Sequence, residues 1–182
     1  MSTTLASAPD TSEYAPYYGR YISLVGPGDI IGTLESQAAE MRNILDKLSE
    51  QDGSLRYAPG KWTIKQMFGH MIDTERIFAY RALRISRGDQ TPIEGFEQDG
   101  YVDNGPFEHC ALSELAQEYS SVRNSTLHLF RNLQPADWKR RGTASGKEVS
   151  VRALAYMIAG HELHHRNILR EKYLTSVGRH SG

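Results

Sequence analysis

Apolar residues recur at alternating steps of three and four in four segments of the chain, which is the spacing of one face of an amphipathic helix. The first segment predicts a helix over residues 30–50, through the stripe Leu34, Ala38, Met41, Leu45 and Leu48. The third predicts a helix that ends before Pro135, through the stripe Leu112, Leu115, Tyr119, Val122, Thr126, Leu129 and Leu133. Each stripe marks the helix face that packs against the rest of the protein.

Polar residues predict where the second and fourth helices begin. Thr63 is followed three residues later by Gln66, a spacing in which each side chain can accept a hydrogen bond from a free backbone N–H of the first turn. This second helix is expected to end near Gly88. Ser150 is expected to cap the fourth helix, whose inward stripe consists of Leu154, Ile158, His161, His165 and Ile168.

The irregular segments between the helices determine the expected topology. Prolines and glycines interrupt residues 89–110, so this segment is a long connection. Because antiparallel neighbours in a bundle are usually joined by ~2–8 residues, the length predicts a crossover that lets the third helix run parallel to the second. Residues 138–147 predict a turn or a small hairpin. The predicted fold class is all-α, a four-helix bundle with a long crossover between helices 2 and 3.

The four helices define one domain over residues 29–176, which is a usual size for a single hydrophobic core. Residues 1–28 lack helical periodicity, and we expect a mobile tip followed by an extended arm. Several tyrosines make this arm too aromatic for a pure linker, so we expect it to lie across the bundle or a partner subunit: Tyr14, Tyr17, Tyr18 and Tyr21. Residues 177–182 are expected to form a short C-terminal tail.

Composition and charge argue against several classes of function. The 182 residues carry a formal net charge of −1, so no positive field attracts a nucleic-acid backbone, and no nucleic-acid partner is expected. No apolar run approaches the ~20 residues of a membrane span, and the N-terminal residues do not resemble a secretion signal. Cys110 is the only cysteine, which favours a reducing compartment. We therefore expect a cytoplasmic protein with no membrane partner.

Two histidines interrupt the apolar face of the fourth helix. His161 and His165 stand one turn apart where aliphatic side chains are expected, and a buried imidazole needs a partner for each ring nitrogen. Their spacing places both rings on one face, within reach of a shared metal ion. His70 lies on the inward face of the second helix at a comparable depth. We therefore predict a divalent-metal site formed by His70, His161 and His165.

Three neutral imidazoles leave at least one coordination position open, which favours a catalytic over a structural site. They suit zinc, nickel, iron or copper alike, and we expect zinc or nickel, with iron as an alternative. Asp73, Glu75 and Glu162 flank the ligands in the sequence. Any of these carboxylates can orient a ring or act as a base, and Glu162 and Asp73 are the candidates for catalysis. Spacing alone does not choose between them.

Three of the remaining histidines have ordinary explanations. His109, His128 and His164 are expected to be packed or surface residues rather than ligands. Residues 161–165, HELHH, also match the HExxH pattern of zinc peptidases, in which the glutamate activates water. Those enzymes take their third ligand from further along the chain, and Glu171 stands where one extended pattern requires histidine. The match is therefore weak evidence for a peptidase.

Four segments of the chain resemble the DinB superfamily, which contains YfiT-like metal hydrolases and transferases that use bacillithiol or mycothiol. They are residues 14–18, 61–70, 95–99 and 160–165, with the sequences YAPYY, KWTIKQMFGH, GFEQD and GHELHH. The resemblance covers most of the chain. It implies a bundle with up-down-down-up topology, often a homodimer, and a metal held by the histidines that correspond to His70, His161 and His165.

Members of this family differ in function, so the resemblance leaves three hypotheses open. The first is an enzyme that binds a low-molecular-weight thiol at the metal and directs it at an electrophile, a thiol (S-)transferase. The second is a small-molecule hydrolase that uses a metal-bound hydroxide, with Glu162 or Asp73 as the base. The third is a non-catalytic binding or stress-response module. Both enzyme hypotheses imply a small-molecule substrate, and we expect the chain to form a homodimer.

Overall fold

The computed structural model describes residues 7–177, so the expected N-terminal tip and residues 178–182 of the C-terminal tail lie outside the described residues. In chain order its helices and strands are α1 (Gly19–Ile22), α2 (Ile30–Leu45), α3 (Ile64–Ser86), α4 (Gln98–Asn104), α5 (Leu112–Arg131), β1 (Arg141–Ala144), β2 (Lys147–Ser150), α6 (Val151–Ile168) and α7 (Leu174–Val177). The long helices α2, α3, α5 and α6 form a bundle, which confirms the all-α fold class. Among the helices within residues 7–177, none combines the length and the hydrophobicity of a membrane-spanning segment.

The helix starts that the polar residues predict are present. Thr63 Oγ1 accepts a hydrogen bond from Gln66 N at 3.1 Å, and Gln66 Oε1 accepts one from Thr63 N at 2.9 Å, so the capping box of α3 is closed. Ser150 Oγ accepts from Ala153 N at 3.0 Å and caps α6. The apolar stripes of α3 and α6 therefore begin from defined first turns.

Helix α2 ends at Leu45, earlier than the predicted boundary at residue 50. The reason is a polar turn just beyond it, in which Asp52 Oδ2 accepts hydrogen bonds from both the backbone N–H and the hydroxyl of Ser49 at 2.7 Å. These bonds offer the backbone an alternative to the helix, so the apolar stripe continues past the last helical residue.

Hydrogen bonds between α2 and its neighbours fix the relative directions of the helices. Gln37 Nε2 of α2 donates to the carbonyl of Ala159 in α6 at 3.1 Å, and further along both helices Arg166 donates to Glu40 at 2.5 Å. Helices α2 and α6 therefore run parallel. The ion pairs and hydrogen bonds between α2 and α5 have the opposite order along the two helices, so these two are antiparallel: Glu35 with Arg131, and Arg42 with Ser120.

Two apolar clusters, one at each end of the bundle, complete the topology. The first joins the beginning of α3 to the beginning of α5 and the residues that follow α6: Met67, Phe68, Met71, Leu115, Tyr119 and Leu169. The second joins the ends of α3 and α5 to the beginning of α6: Phe78, Ala82, Ile85, Leu127, Phe130 and Leu154. Helices α3 and α5 are therefore parallel to each other and antiparallel to α6, which gives the up-down-down-up order.

The crossover between α3 and α5 passes over the hairpin of β1 and β2. Ile93 N donates to the carbonyl of Thr143, and Ser145 N donates to the carbonyl of Ile93, both at 2.9 Å. The two strands pair antiparallel through a turn at Ser145 and Gly146, whose φ angles of 52° and 70° match the two left-handed positions of a type I′ turn. The hairpin thus holds one end of the crossover against the bundle.

The N-terminal arm is built from short helical turns rather than from the extended chain that the sequence predicts. Its first turn is closed locally, because Asp10 Oδ1 accepts from Ser12 N at 2.8 Å and Glu13 Oε1 accepts from Asp10 N at 2.9 Å. The arm lies on α6, and Tyr21 approaches so closely that a Cβ at Gly160 would lie 2.1 Å from its carbonyl oxygen. Only glycine fits the helix there without displacing the arm.

Candidate metal centre

Helices α3 and α6 bring three histidines to one point inside the bundle. The Nε2 atom of His161 lies 3.0 Å from Nε2 of His70 and 3.1 Å from Nε2 of His165, and one ligand atom from each ring lies within 4.8 Å of the others. Two nitrogens bound ~2.0–2.1 Å from one tetrahedral ion lie about 3.3 Å apart. The observed spacing and the all-nitrogen donor set therefore fit a divalent transition metal.

Glycines on both helices permit the close packing that positions these rings. Gly69 precedes His70, and a Cβ there would lie 2.2 Å from the ring of Phe107. Gly160 precedes His161 and admits the backbone of Tyr21. The Tyr21 ring then stands edge-on to the ring of His161, with centroids 5.3 Å apart. At both positions a bulky neighbour packs against the helix where only a glycine allows it.

Burial keeps the three imidazoles in the form that binds a metal. Their residues are 3%, 6% and 7% exposed in the order His70, His161 and His165. Burial lowers the pKa of His70 to about 4, and the nearby His164 contributes to the same shift. Burial also holds the pKa of His161 and of His165 well below the usual value, with a smaller contribution from neighbouring histidines. Neutral rings offer a lone pair to a cation, and a shared ion would satisfy three of them together.

His70 and His161 form part of the wall of a cavity of about 420 Å³. Aromatic rings of the arm, of α3 and of the crossover make up much of the rest: Tyr17, Tyr18, Tyr21, Phe78 and Phe96. Thr74, one turn after His70 on α3, also lines the cavity, and its buried hydroxyl has no hydrogen-bond partner among the described residues. The cavity is large enough for a small molecule, and it presents one unsatisfied hydroxyl near His70 and His161.

Within the described part of the chain, the one carboxylate side chain that lines this cavity is that of Glu97. It caps helix α4, because its two oxygens accept hydrogen bonds from Asp99 N at 3.2 Å and Gly100 N at 2.8 Å. These backbone bonds lower the pKa of the Glu97 carboxyl below its usual value. Glu97 was not among the predicted site residues. The signal was its place in the GFEQD segment, since spacing alone does not bring the crossover next to the histidines.

Glu162 lies next to His161 in the sequence, but one of its oxygens is held by residues of α5, and the other, Oε1, is buried without a hydrogen-bond partner among the described residues. Its Oε2 atom accepts a hydrogen bond from the hydroxyl of Tyr119 at 2.7 Å and one from Arg123 Nη2 at 2.6 Å. Arg123 also donates to both oxygens of Glu75, at 2.8 and 2.7 Å. The side chains of these three charged residues are at most 6% exposed, so they form a buried ionic layer between α3, α5 and α6.

Asp73 also lies away from the cavity. Its carboxylate is 3.5 Å from Arg76 Nη1, which in turn pairs with Glu118 of α5 at 2.7 Å. Burial raises the pKa of the Asp73 carboxyl, and Arg76 opposes that shift. The structure therefore places both candidate bases, Glu162 and Asp73, on sides of their helices that face α5.

The other predicted non-ligand histidines lie outside the triad. His164 is half-buried, and its ring contacts the rings of Tyr21 and His165 with centroids 5.3 and 5.1 Å apart. His109 and His128 are exposed, the first in the crossover and the second on α5. Within residues 7–177, the group of side chains close enough together to hold a metal ion is His70, His161 and His165.

Comparison with known proteins gives a family and a set of similar folds. The family model described as the DinB superfamily matches residues 33–169. No curated protein sequence matches the chain. YfiT from Bacillus subtilis, described as a probable metal-dependent hydrolase with an unusual four-helix bundle topology, superposes with a TM-score of 0.72 at 15% identity, over 93% of each chain.

Two further solved structures share the fold. A DinB-like protein of Bacillus subtilis, YjoA, has a TM-score of 0.60 at 21% identity, over 82% of this chain and 91% of that chain. The mycothiol-dependent maleylpyruvate isomerase has a TM-score of 0.63 at 13% identity, over 75% of this chain and 58% of that chain. At such identities the likeness shows a common fold, and the activities remain those of the neighbours.

Proposed function

The chain belongs to the DinB superfamily, and from this we propose that it is a metal-dependent enzyme that transfers a low-molecular-weight thiol to an electrophilic small molecule. In this proposal His70, His161 and His165 hold one divalent ion, zinc or nickel, with iron as the alternative. The ion supplies positive charge that lowers the pKa of a bound thiol or water. Support comes from the neutral triad beside a cavity and from the mycothiol dependence of one structural neighbour.

The observation that favours thiol transfer over hydrolysis is the state of the nearby carboxylates. A thiol held by a divalent ion would lose its proton more completely than water held in the same way, so attack by water depends more strongly on a nearby base. Glu162 is bound to Arg123 and Tyr119, and Glu97 is bound to two backbone N–H groups that lower the pKa of its carboxyl. A base with a lowered pKa accepts a proton poorly near neutral pH.

The residues around the triad have separable tasks in the proposed reaction. The aromatic rings of the arm and crossover exclude water from the electrophile and offer flat apolar faces to it. The unpartnered hydroxyl of Thr74 is available to a polar atom of the substrate. The thiol gives its proton to solvent, its sulfur forms the new carbon–sulfur bond, and the leaving group departs with the electron pair of the broken bond.

Hydrolysis is the second candidate, and the description of YfiT as a probable metal-dependent hydrolase supports it. In that case Glu97 is the base candidate that the cavity offers, instead of Glu162 or Asp73. A third hypothesis, a non-catalytic binding or stress-response module, predicts that the protein either takes up no metal or turns over no substrate. A homodimer in the cytoplasm remains part of the proposal, and light scattering of the purified protein measures the oligomeric state.

The test begins with elemental analysis and with loading of the purified protein with zinc or nickel. Metal-loaded protein is then incubated with L-cysteine and chlorodinitrobenzene, and with chromogenic esters in the absence of thiol. We expect thiol-dependent release of chloride that His165→Ala abolishes, while His128→Ala, which changes an exposed histidine, leaves the rate unchanged. A rate that His165→Ala does not alter refutes a metal-dependent transfer, and ester hydrolysis without thiol favours the second candidate.

A further inference from the structure

The histidine triad borders a second cavity, on the side of His165. This second cavity has a volume of about 530 Å³ and lies among the end of α6, the loop before α3, and α4. His165 and Trp62 belong to its wall, and the Trp62 ring packs against the ring of His70 with centroids 4.8 Å apart. The first cavity is lined by the other two histidines of the triad. A metal ion among the three rings therefore lies between two cavities.

The two cavities meet at Gln98, the first residue of α4, which lines both of them. Its side-chain amide has no hydrogen-bond partner within residues 7–177. The cap formed by Glu97 fixes the start of α4 and so fixes the position of Gln98. Gln98 therefore lies beside both of the cavities that approach the three histidines.

Charged groups distinguish the second cavity from the aromatic one. Arg56 is already compensated, because its guanidinium donates to Glu108 at 2.7 Å, to the carbonyl of Lys61 at 2.6 Å and to Gln66 at 3.1 Å. The ammonium group of Lys61 has no ion-pair partner in the described chain. The same holds for the carboxylates of two exposed residues of α4 that also line the cavity, Asp99 and Asp103.

A free cation and two free carboxylates that line one cavity without pairing with each other are complementary to a ligand that carries both signs of charge. We propose that the second cavity binds a small zwitterionic thiol, a molecule with a carboxylate for Lys61 and an ammonium group for Asp99 and Asp103. Its sulfur reaches the triad past His165, and the electrophile occupies the aromatic cavity on the other side of Gln98. This inference rests on the proposed thiol transfer and assigns its two substrates to separate cavities.

The test is equilibrium binding of three thiols to zinc-loaded protein by calorimetry. L-Cysteine carries both charges, mercaptopropionate only the carboxylate, and cysteamine only the ammonium group. Lys61→Ala is expected to weaken the binding of L-cysteine and mercaptopropionate by roughly two- to fivefold, the range for an exposed ion pair, and to leave the binding of cysteamine unchanged. Asp99→Asn combined with Asp103→Asn is expected to weaken L-cysteine and cysteamine and to leave mercaptopropionate unchanged.

In this crossed pattern, the lysine variant affects only thiols with a carboxylate, and the aspartate variant affects only thiols with an ammonium group. The pattern separates charge recognition from metal chelation, because chelation by each thiol is the same in every variant. Lys139→Ala, which changes an exposed lysine outside the cavity, is the matched control and should alter no affinity. Equal affinities in the wild type and both cavity variants overturn the inference, as does the absence of binding to the wild type. If the crossed pattern is found but no thiol is transferred, the cavity assignment stands and the proposed reaction fails.

Discussion

Replacing Glu162 with glutamine separates a catalytic from a structural role for the glutamate of the HELHH segment. The glutamine side chain retains an oxygen for Tyr119 or Arg123 but loses the charge, while Glu75 still holds Arg123 through two bonds. A hydrogen bond to a charged group contributes about 1.5–3 kcal/mol, so we expect Glu162→Gln to destabilise the fold by about 2 kcal/mol. For a domain of this size, that corresponds to a Tm lowered by roughly 4–8 °C.

The assay is calorimetric unfolding of the metal-free protein, followed by zinc titration and thiol transfer at a temperature where both proteins are folded. Zinc affinity and the rate of transfer should stay within a few fold of the wild type, because the carboxylate faces Arg123 rather than the cavity. Glu171→Gln, an exposed glutamate beyond the end of α6, is the control and should alter neither stability nor rate. A loss of activity of about a hundredfold or more with unchanged stability is the signature of a general base and would refute this assignment.

Three further predictions follow from the arm and the triad. Burial raises the pKa of the Glu13 carboxyl, but bonds from Arg152 and Ser150 outweigh it and lower this pKa from 4.5 to about 2. The stabilisation is therefore complete above pH 4.5 and is lost as the pH falls towards 2, and acid unfolding of Glu13→Gln should lack this step. Gly160→Ala should cost about 1–3 kcal/mol and expose the arm to limited proteolysis, because its Cβ overlaps Tyr21. Zinc at a hundredfold excess over its Kd should stabilise the wild type by about 2.7 kcal/mol and should not stabilise His70→Ala, as thermal unfolding with and without zinc would measure.

The helices and the convergence of the three histidines were predictable because their signals are local. The Thr63 and Gln66 cap, the Ser150 cap and the alternating steps of the apolar stripes depend on residues within one or two turns of each other. Two histidines one turn apart share a face in any helix, so His161 and His165 needed no tertiary information. The direction of α5 was inferred from the length of the crossover, which is a number of residues that can be counted in the sequence.

The environment of the carboxylates was not predictable in the same way. The partner of Glu162 is Arg123, a residue beside rather than on the apolar stripe of α5, and sequence spacing does not reveal which helix lies next to α6. The arm shows a similar limit. Its Asp10 and Glu13 carry the spacing of a capping box, but the decisive contact is the docking of the arm on Gly160, which depends on the folded bundle.

Helix packing explains why Glu162, the glutamate of HELHH, is not placed as a catalytic base would be. Consecutive residues of an α-helix point about 100° apart, so Glu162 faces the side of α6 next to the side that carries His161 and His165. A base at that position needs a substrate beside it, whereas in this bundle Glu162 is bound to Arg123 of α5, and the cavity that these two residues line with His161 measures only about 10 Å³. The three histidines thus lie on two rigid helices, while much of the lining of the adjoining aromatic cavity comes from the arm and the crossover. Substitutions at Phe96 or Gln98 should therefore change substrate preference while zinc affinity stays constant, whereas a joint loss of both would mean that the crossover also holds the metal ligands in place.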